Sequence, residues 1–247
     1  MNNIVVVPNV FEDFYFNENA IESIRYACKR WNANFFELKK FMHVSNKIHN
    51  GVTANRFWMM KYFTDFDRVL ILDPDVIVNS LAPNIFDELG EYDFAGVHNA
   101  NPSRVATYEH MNRVDKYLSS IGLDILEKYF LNFDKTKYYQ TCINGGVYLF
   151  NPKKLEPVTN RIISLIETYE DIQTTLDKEW IFIQNLISAA LSTSELKIKI
   201  LDDKWNWLAP DINLEWDLFC GPMHANIYHF TGTPDSKNSM KLYNKWK

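Results

Sequence analysis

Two carboxylates separated by one residue stand at the end of an apolar run. Arg68-Val69-Leu70-Ile71-Leu72 leads straight into Asp73-Pro74-Asp75. In an extended chain residues i and i+2 share one side, and Pro74 stiffens the turn between them. Two carboxylates so placed repel, and burial would force one to keep a proton unless a cation neutralises them. A hard divalent ion, Mn²⁺ or Mg²⁺, resolves that conflict and can bridge onward to phosphate oxygens. The same residues also read as a solvated Asp-Pro-Asp turn without a ligand. The pair alone does not choose between the two.

Two further segments bear on the choice. In Cys142-Ile143-Asn144-Gly145-Gly146-Val147-Tyr148-Leu149-Phe150-Asn151 the paired glycines stand just before a strand. With no Cβ they let a backbone or a ligand come close. Asn144 offers a donor and an acceptor to a hydroxyl-rich ligand. A plain turn is the alternative. In Tyr228-His229-Phe230-Thr231-Gly232-Thr233-Pro234-Asp235-Ser236-Lys237 a short apolar strand ends in a histidine, followed by a glycine turn and a lysine. His229 is a metal ligand or a structural histidine. The turn at Gly232 and the Lys237 ammonium could hold a diphosphate.

These segments need elements to carry them. The pattern predicts strands at Ile4–Val7, Asn34–Phe41, Arg68–Leu72, Phe94–Val97, Gly145–Phe150, Ile198–Leu201 and Ile227–Phe230, with Val76–Val78 extended after the Asp pair. Helical spacing predicts Asn19–Trp31, Val52–Phe63, Ile85–Leu89, Arg113–Phe130, Leu155–Tyr169 and Lys178–Leu191. The last is apolar on most faces and reads as buried. Strands alternating with helices predict an α/β fold with a mostly parallel sheet. Residues 1–247 read as one domain, with no repeat or low-complexity linker. In such sheets ligands sit beyond the carboxyl ends of strands, near a change in strand order, and the Asp pair occupies such an end.

The net charge of -5 argues against a general nucleic-acid binder, which needs a basic face. Cys28, Cys142 and Cys220 are odd in number and show no zinc-ligand or CxxC spacing. The chain opens without a basic flank or a long apolar run, and no stretch reaches the roughly 20 apolar residues of a membrane span. The expectation is a cytoplasmic protein. Phe11, Phe14, Tyr15 and Phe16 are either core residues or an apolar patch for a homodimer.

Taken in order, LILDPDVIV, INGGVYLFNP and HFTG with a following lysine resemble glycosyltransferase family 8, the glycogenin and galactinol synthase group. Arg56, in Thr53-Ala54-Asn55-Arg56-Phe57, matches the place of a basic residue on that family's donor-side helix. The resemblance spans about Val52 to Lys237. It implies the nucleotide-sugar-binding α/β fold called GT-A, Rossmann-like and single-domain. It implies sugar transfer with retention of configuration, usually with Mn²⁺, from a UDP-sugar, UDP-glucose first, to a sugar or protein hydroxyl. Asp73, Asp75 and His229 carry over as metal ligands, with Pro74 between the two carboxylates. Gly232 and Lys237 carry over to the diphosphate, Arg56 to a phosphate, and Asn144, Gly145 and Gly146 to the sugar pocket. Val7, Pro8 and Asn9, at the end of the first strand, are candidates for base contacts.

The sequence also departs from the family. An Asp-Gln pair belongs on the helix after the Asn-Gly-Gly strand, and the matching stretch here is Asp177-Lys178-Glu179-Trp180. Glu179 fits the acid position, Asp177 is the alternative, and Trp180 replaces the glutamine. With Asn144, these are the candidates for catalytic groups at the reacting sugar. Both carboxylates also read as ordinary helix N-terminal acids. One clear helix between two strands precedes the Asp-x-Asp strand, where the family carries two strand–helix units. In Lys204-Trp205-Asn206-Trp207 the tryptophans read as packing or as sugar-stacking groups, and Asn206 is the functional candidate. Tyr228 is the one tyrosine between Asn206 and His229, so self-glycosylation at the glycogenin position is not expected. Tyr138 and Tyr139 are the other tyrosines considered as self-acceptors. Sugar-nucleotide hydrolysis and binding without turnover are the competing readings.

Overall fold

The computed structural model describes residues 1–9, 17–40, 51–99, 119–179, 181–208 and 225–230. The chain opens with β1 (Asn3–Pro8), α1 (Asn17–Trp31), β2 (Asn34–Leu38), α2 (Gly51–Tyr62) and β3 (Arg68–Leu72). Two strand–helix units therefore precede the Asp pair, on the elements the sequence pattern predicts. β4 (Val76–Val78), α3 (Phe86–Leu89) and β5 (Phe94–His98) follow. Then come α4 (Leu123–Tyr129), α5 (Lys135–Gln140), β6 (Ile143–Phe150) and α6 (Pro152–Thr168). The last elements are α7 (Glu170–Lys178), α8 (Phe182–Ser192), β7 (Ile198–Leu201), β8 (Trp207–Leu208) and β9 (Ile227–His229).

Six strands form one sheet in the order β2-β1-β3-β6-β5-β7. β1 pairs parallel with β2 and β3, and β5 pairs parallel with β7. β6 is antiparallel to both its neighbours. Five strands thus point one way and one points back, so the sheet is mostly parallel as expected. The chain moves outward from β1 to β2 and returns on the other side of β1 as β3. The carboxyl ends of β1 and β3 therefore flank a change in winding direction, the usual place for a ligand crevice.

Apolar clusters cover both faces, so the sheet is the middle of three layers. One cluster joins Val69, Ile71, Tyr148 and Phe150 to Phe57 and Met60 of α2, Ile162 of α6 and Phe182 and Leu186 of α8. The other joins Val5, Leu70, Leu72 and Leu149 to Ile24 and Trp31 of α1, Phe86 of α3, and Trp205. Asn151 caps α6 by accepting from the Lys154 N–H at 3.2 Å, and Pro152 follows as its first residue.

A small second sheet, β4-β9-β8, sits beside the end of β3. β9 runs antiparallel to β4 with His229 opposite Val76, and the Phe230 N–H donates to the Asp75 carbonyl at 3.0 Å. α1 steadies β4 from below, since Ser23 Oγ accepts from the Val78 N–H.

Several elements differ from expectation. The helix expected from Lys178 to Leu191 begins only at Phe182, as α8, and α7 over Glu170–Lys178 precedes it where no helix is expected. β6 starts at Ile143, so the paired glycines lie inside a strand and not before it. Of the helix expected over Arg113–Phe130, the described part is α4, and 113–118 lie outside the described residues. Phe11, Phe14, Tyr15 and Phe16 lie outside them as well. Among the described residues no helix is long and apolar enough to cross a membrane.

Candidate metal and donor site

β3 delivers Asp73 at its carboxyl end, the Asp73-Pro74-Asp75 turn follows, and β9 brings His229 back across β4. Ligand atoms of the three side chains lie within 4.8 Å of one another. His229 Nε2 is 3.3 Å from Asp75 Oδ1 and 3.6 Å from Asp73 Oδ2. Neighbouring ligands of an octahedral ion with bonds of about 2.1 Å stand about 3 Å apart. The spacing therefore fits a divalent ion after a small contraction. Two carboxylates and one imidazole also match the donor preferences of Mn²⁺, with Mg²⁺ suited to the oxygen pair.

Charge at the site is arranged around those carboxylates. Burial raises the Asp73 pKa above its ordinary value, against the opposing pull of Arg56. Burial also acts to raise Asp75, but the His229 charge and hydrogen bond outweigh it and leave Asp75 below the ordinary value. Burial pushes His229 down, and Asp75 followed by Asp73 more than offsets this, so the imidazole stays protonated above its usual range. Without an ion, the proton on His229 neutralises part of the carboxylate charge.

α2 supplies Arg56, which is largely buried. It forms an ion pair with Asp73 and donates from Nη1 to the Gly145 carbonyl at 2.6 Å. The Asn144-Gly145-Gly146 segment interrupts the β5–β6 ladder, whose register shifts between Gly96/Tyr148 and His98/Ile143. A Cβ on Gly145 would lie 2.6 Å from Arg56 Nη1. A Cβ on Gly146 would lie 2.4 Å from His229 Nδ1 and 2.9 Å from Asn206 Oδ1. The glycines thus serve a close approach, and the approaching groups are Arg56, His229 and Asn206.

Asn206 and Asn144 are buried beside His229 and joined by a hydrogen bond of 2.7 Å. Trp205 is core, and Trp207 is half-buried. Val7 and Pro8 are buried at the end of β1. Asn9 beyond them donates from Nδ2 to Glu37 Oε1 at 2.8 Å. Asn9, Arg25, Glu37 and Lys39 border an open hollow of about 420 Å³ past the ends of β1 and β2.

The two candidate carboxylates lie at the junction of two helices. Asp177 is in the last turn of α7, and Glu179 is its exposed C-cap, three residues ahead of α8. Gly232 and Lys237 lie outside the described residues, as does Trp180. Tyr138 is buried, and its hydroxyl donates to the Ser119 carbonyl at 2.8 Å. That leaves Tyr139, which is exposed, as the more accessible of the two. Tyr228 is buried.

Sequence reasoning missed Gln184 and Asn99. Gln184 on α8 is 6% exposed, and its Oε1 meets no hydrogen-bond partner among the described residues. Its Nε2 would lie 3.2 Å from a Cβ on Gly145. Asn99, just past β5, accepts from Asn144 Nδ2 at 3.3 Å. A readable signal existed for Gln184. It forms a polar stripe with Ser188, one turn on, along a largely apolar, buried helix. Ser188 Oγ accepts from the Ile143 N–H at the start of β6.

No protein-family model matches the sequence, and no curated protein matches it. Solved structures do. A glycosyltransferase involved in glycosylation of the major capsid of PBCV-1 superposes with a TM-score of 0.56 at 14% identity, covering 98% of each chain. The galactosyltransferase LgtC, solved with donor and acceptor sugar analogs, gives 0.51 at 15% identity, covering 98% of this chain and 95% of that one. The bifunctional glycosyltransferase WbbM gives 0.54 at 12% identity, covering 98% of this chain and 49% of that one. The order of strands, the reversed β6 and the Asp pair at the end of β3 thus belong to a GT-A fold.

Proposed function

We propose that the protein is a metal-dependent glycosyltransferase taking its sugar from a nucleotide diphosphate sugar. The donor is a UDP-sugar, with UDP-glucose first, and the acceptor is a sugar or protein hydroxyl. One observation carries this reading: Asp73, Asp75 and His229 converge within ion-binding distance at the strand end where the sheet changes winding direction. A divalent ion held there would stabilise the charge that grows on a departing nucleoside diphosphate.

The remaining roles fall to side chains. Asp73 and Asp75 provide two negative oxygens and His229 a neutral nitrogen. Arg56 neutralises Asp73 and keeps a cationic guanidinium beside the phosphate-facing end of the crevice. Asn144, Gly145 and Gly146 line the sugar pocket, and Gly232 and Lys237 hold the diphosphate. Val7, Pro8 and Asn9, at the end of β1, are assigned to the base. Transfer with retention by front-face attack asks for no protein nucleophile. Glu179 and Asp177 remain the candidates should a carboxylate take part. A family 8, glycogenin-like enzyme working in the cytoplasm, as a monomer or homodimer, accords with this reading.

The test is UDP release from a panel of UDP-sugars, with Mn²⁺ and with EDTA, followed by intact mass of the protein. Metal-dependent release from one sugar identifies the donor. A gain of hexose mass makes the protein its own acceptor. Release without a transferred product would indicate hydrolysis. No release and no UDP binding by calorimetry would sink the proposal.

A further inference from the structure

A main-chain group fixes which nitrogen of His229 faces the carboxylate pair. The Gly146 N–H donates to Asn144 Oδ1 at 3.0 Å. A backbone N–H is only a donor, so the Asn144 atom it meets is the oxygen. That oxygen lies 2.7 Å from the Asn206 amide, so the Asn206 atom facing it is the NH₂ group. The Asn206 oxygen is thereby turned towards His229, 2.9 Å from Nδ1. An amide oxygen only accepts, so Nδ1 carries a proton, and in the neutral ring Nε2 keeps its lone pair. Nε2 is the atom 3.3 Å from Asp75 Oδ1. The far end of the chain has the same polarity, because Asn144 Nδ2 donates to Asn99 Oδ1. Amide and imidazole orientations are ordinarily ambiguous, but here a backbone donor anchors the sequence of bonds.

Burial gives this chain force. Asn206 is 0% exposed and His229 3%. A buried amide facing a mismatched partner leaves polar groups unsatisfied, so the alternative orientations are disfavoured together. Gly146 is part of the arrangement twice. Its N–H starts the chain, and its missing Cβ leaves the space that His229 and Asn206 fill.

We infer that Asn206 is a positioning residue for the metal site. It holds His229 in the Nδ1–H tautomer, presenting the Nε2 lone pair to the ion, and takes its own orientation from Asn144 in the irregular part of β6. The inference rests on the proposed reading of Asp73, Asp75 and His229 as ligands. It extends that reading by joining the ion to the Asn-Gly-Gly segment. A group that pulls on Asn144 acts on His229 through Asn206, so occupancy of the sugar pocket and of the metal site are coupled.

The test reads the ring itself. Long-range ¹H–¹⁵N correlation of the metal-free protein, at a pH where the imidazole is neutral, reports the His229 tautomer. His229→Gln assigns that ring among the six histidines. Mn²⁺ affinity is measured alongside by calorimetry. The wild-type protein is expected in the Nδ1–H form. Asn206→Leu is expected to lose that signature and to weaken Mn²⁺ binding by about 10–100-fold. Asn206→Asp keeps an acceptor oxygen towards Nδ1 and is expected to keep the signature. An Nε2–H ring in the wild type would overturn the inference. So would an Asn206→Leu protein with unchanged tautomer and unchanged Mn²⁺ affinity. Should Asn206→Leu fail to fold, the wild-type and Asn206→Asp signatures decide. Absence of Mn²⁺ binding by the wild-type protein would overturn the metal reading itself, and with it this role.

Discussion

Arg56 grips Asp73 with one guanidinium nitrogen and the Gly145 carbonyl with another, tying α2, β3 and β6 together at one buried point. Both side chains of the ion pair are close to nine-tenths buried. Such a pair adds little net stability, but removing one partner is costly because the other charge is left behind. Arg56→Met should therefore destabilise the protein by about 3 kcal/mol in EDTA. Saturating Mn²⁺ should recover part of that loss, because the ion neutralises the Asp73 carboxylate that has lost Arg56 and so binds the variant more tightly than the wild type, stabilising it more. Urea unfolding with and without Mn²⁺ measures both effects. Equal losses in the two conditions would place Arg56 outside the carboxylate cluster.

The His229 imidazole should make metal binding depend on pH. Its folded pKa lies above the ordinary 6.5, since Asp75 and Asp73 outweigh burial. A raised folded pKa means that the protonated ring stabilises the metal-free fold fully below about 6.5, and that this is lost as pH rises through the folded value. An ion competes for the same nitrogen. Mn²⁺ affinity should therefore climb as pH rises through that range, with a proton released on binding below it. Calorimetry in two buffers of unlike ionisation enthalpy counts the proton. A His229→Gln protein that releases the same fraction would assign the proton elsewhere.

Asp75→Ala removes a carboxylate that is partly exposed and makes no ion pair with Arg56. Folding should survive, by circular dichroism and unfolding midpoint. Metal-dependent UDP release should fall by about 100-fold or more, because several kcal/mol of charge stabilisation depend on the ion and each 1.36 kcal/mol is tenfold in rate. Full activity would strip the Asp pair of its role.

Adding one methyl at each glycine should separate their functions. In Gly146→Ala the new Cβ meets the His229 ring at 2.4–2.5 Å, and that ring is held from its other side. In Gly145→Ala it meets the tip of Arg56, a longer and more adaptable side chain, at 2.6 Å. Overpacking of this kind costs about 1–3 kcal/mol. Mn²⁺ affinity should fall more in Gly146→Ala than in Gly145→Ala. The reverse order would mean that the guanidinium, not the imidazole, is the rigid wall.

Much of this was legible in the chain because the signals are local. The run Arg68–Leu72 has one reading, a buried strand, and the Asp pair had to fall at its end. β6 was harder. Its glycines look like a turn, since no short-range signal shows that His229 and Arg56 will occupy the space of their missing side chains. The start of α8 is hard to place for a similar reason. Lys178-Glu179-Trp180-Ile181 carries neither glycine nor proline, and helical spacing ran on through it. The partnership of Asn144 with Asn206 was beyond reach, since it depends on β8 and β9 folding against β6. Gln184 carries a local signal, a polar residue on a largely apolar helix, one turn before Ser188.

Because β6 runs against β3 and β5 yet lies between them, the sheet cannot close until residue 150 is available, and β9 must then seat on β4. Contacts so distant in sequence carry a large loop-closure cost. A chain with only β1 to β3 paired would carry Asp73 and Asp75 but neither Arg56 locked on Gly145 nor His229 in place. Strong capture of the ion then requires β9 to have docked on β4. In refolding, the rise of Mn²⁺ affinity should lag the recovery of helical signal, so that ion binding marks the seating of β9.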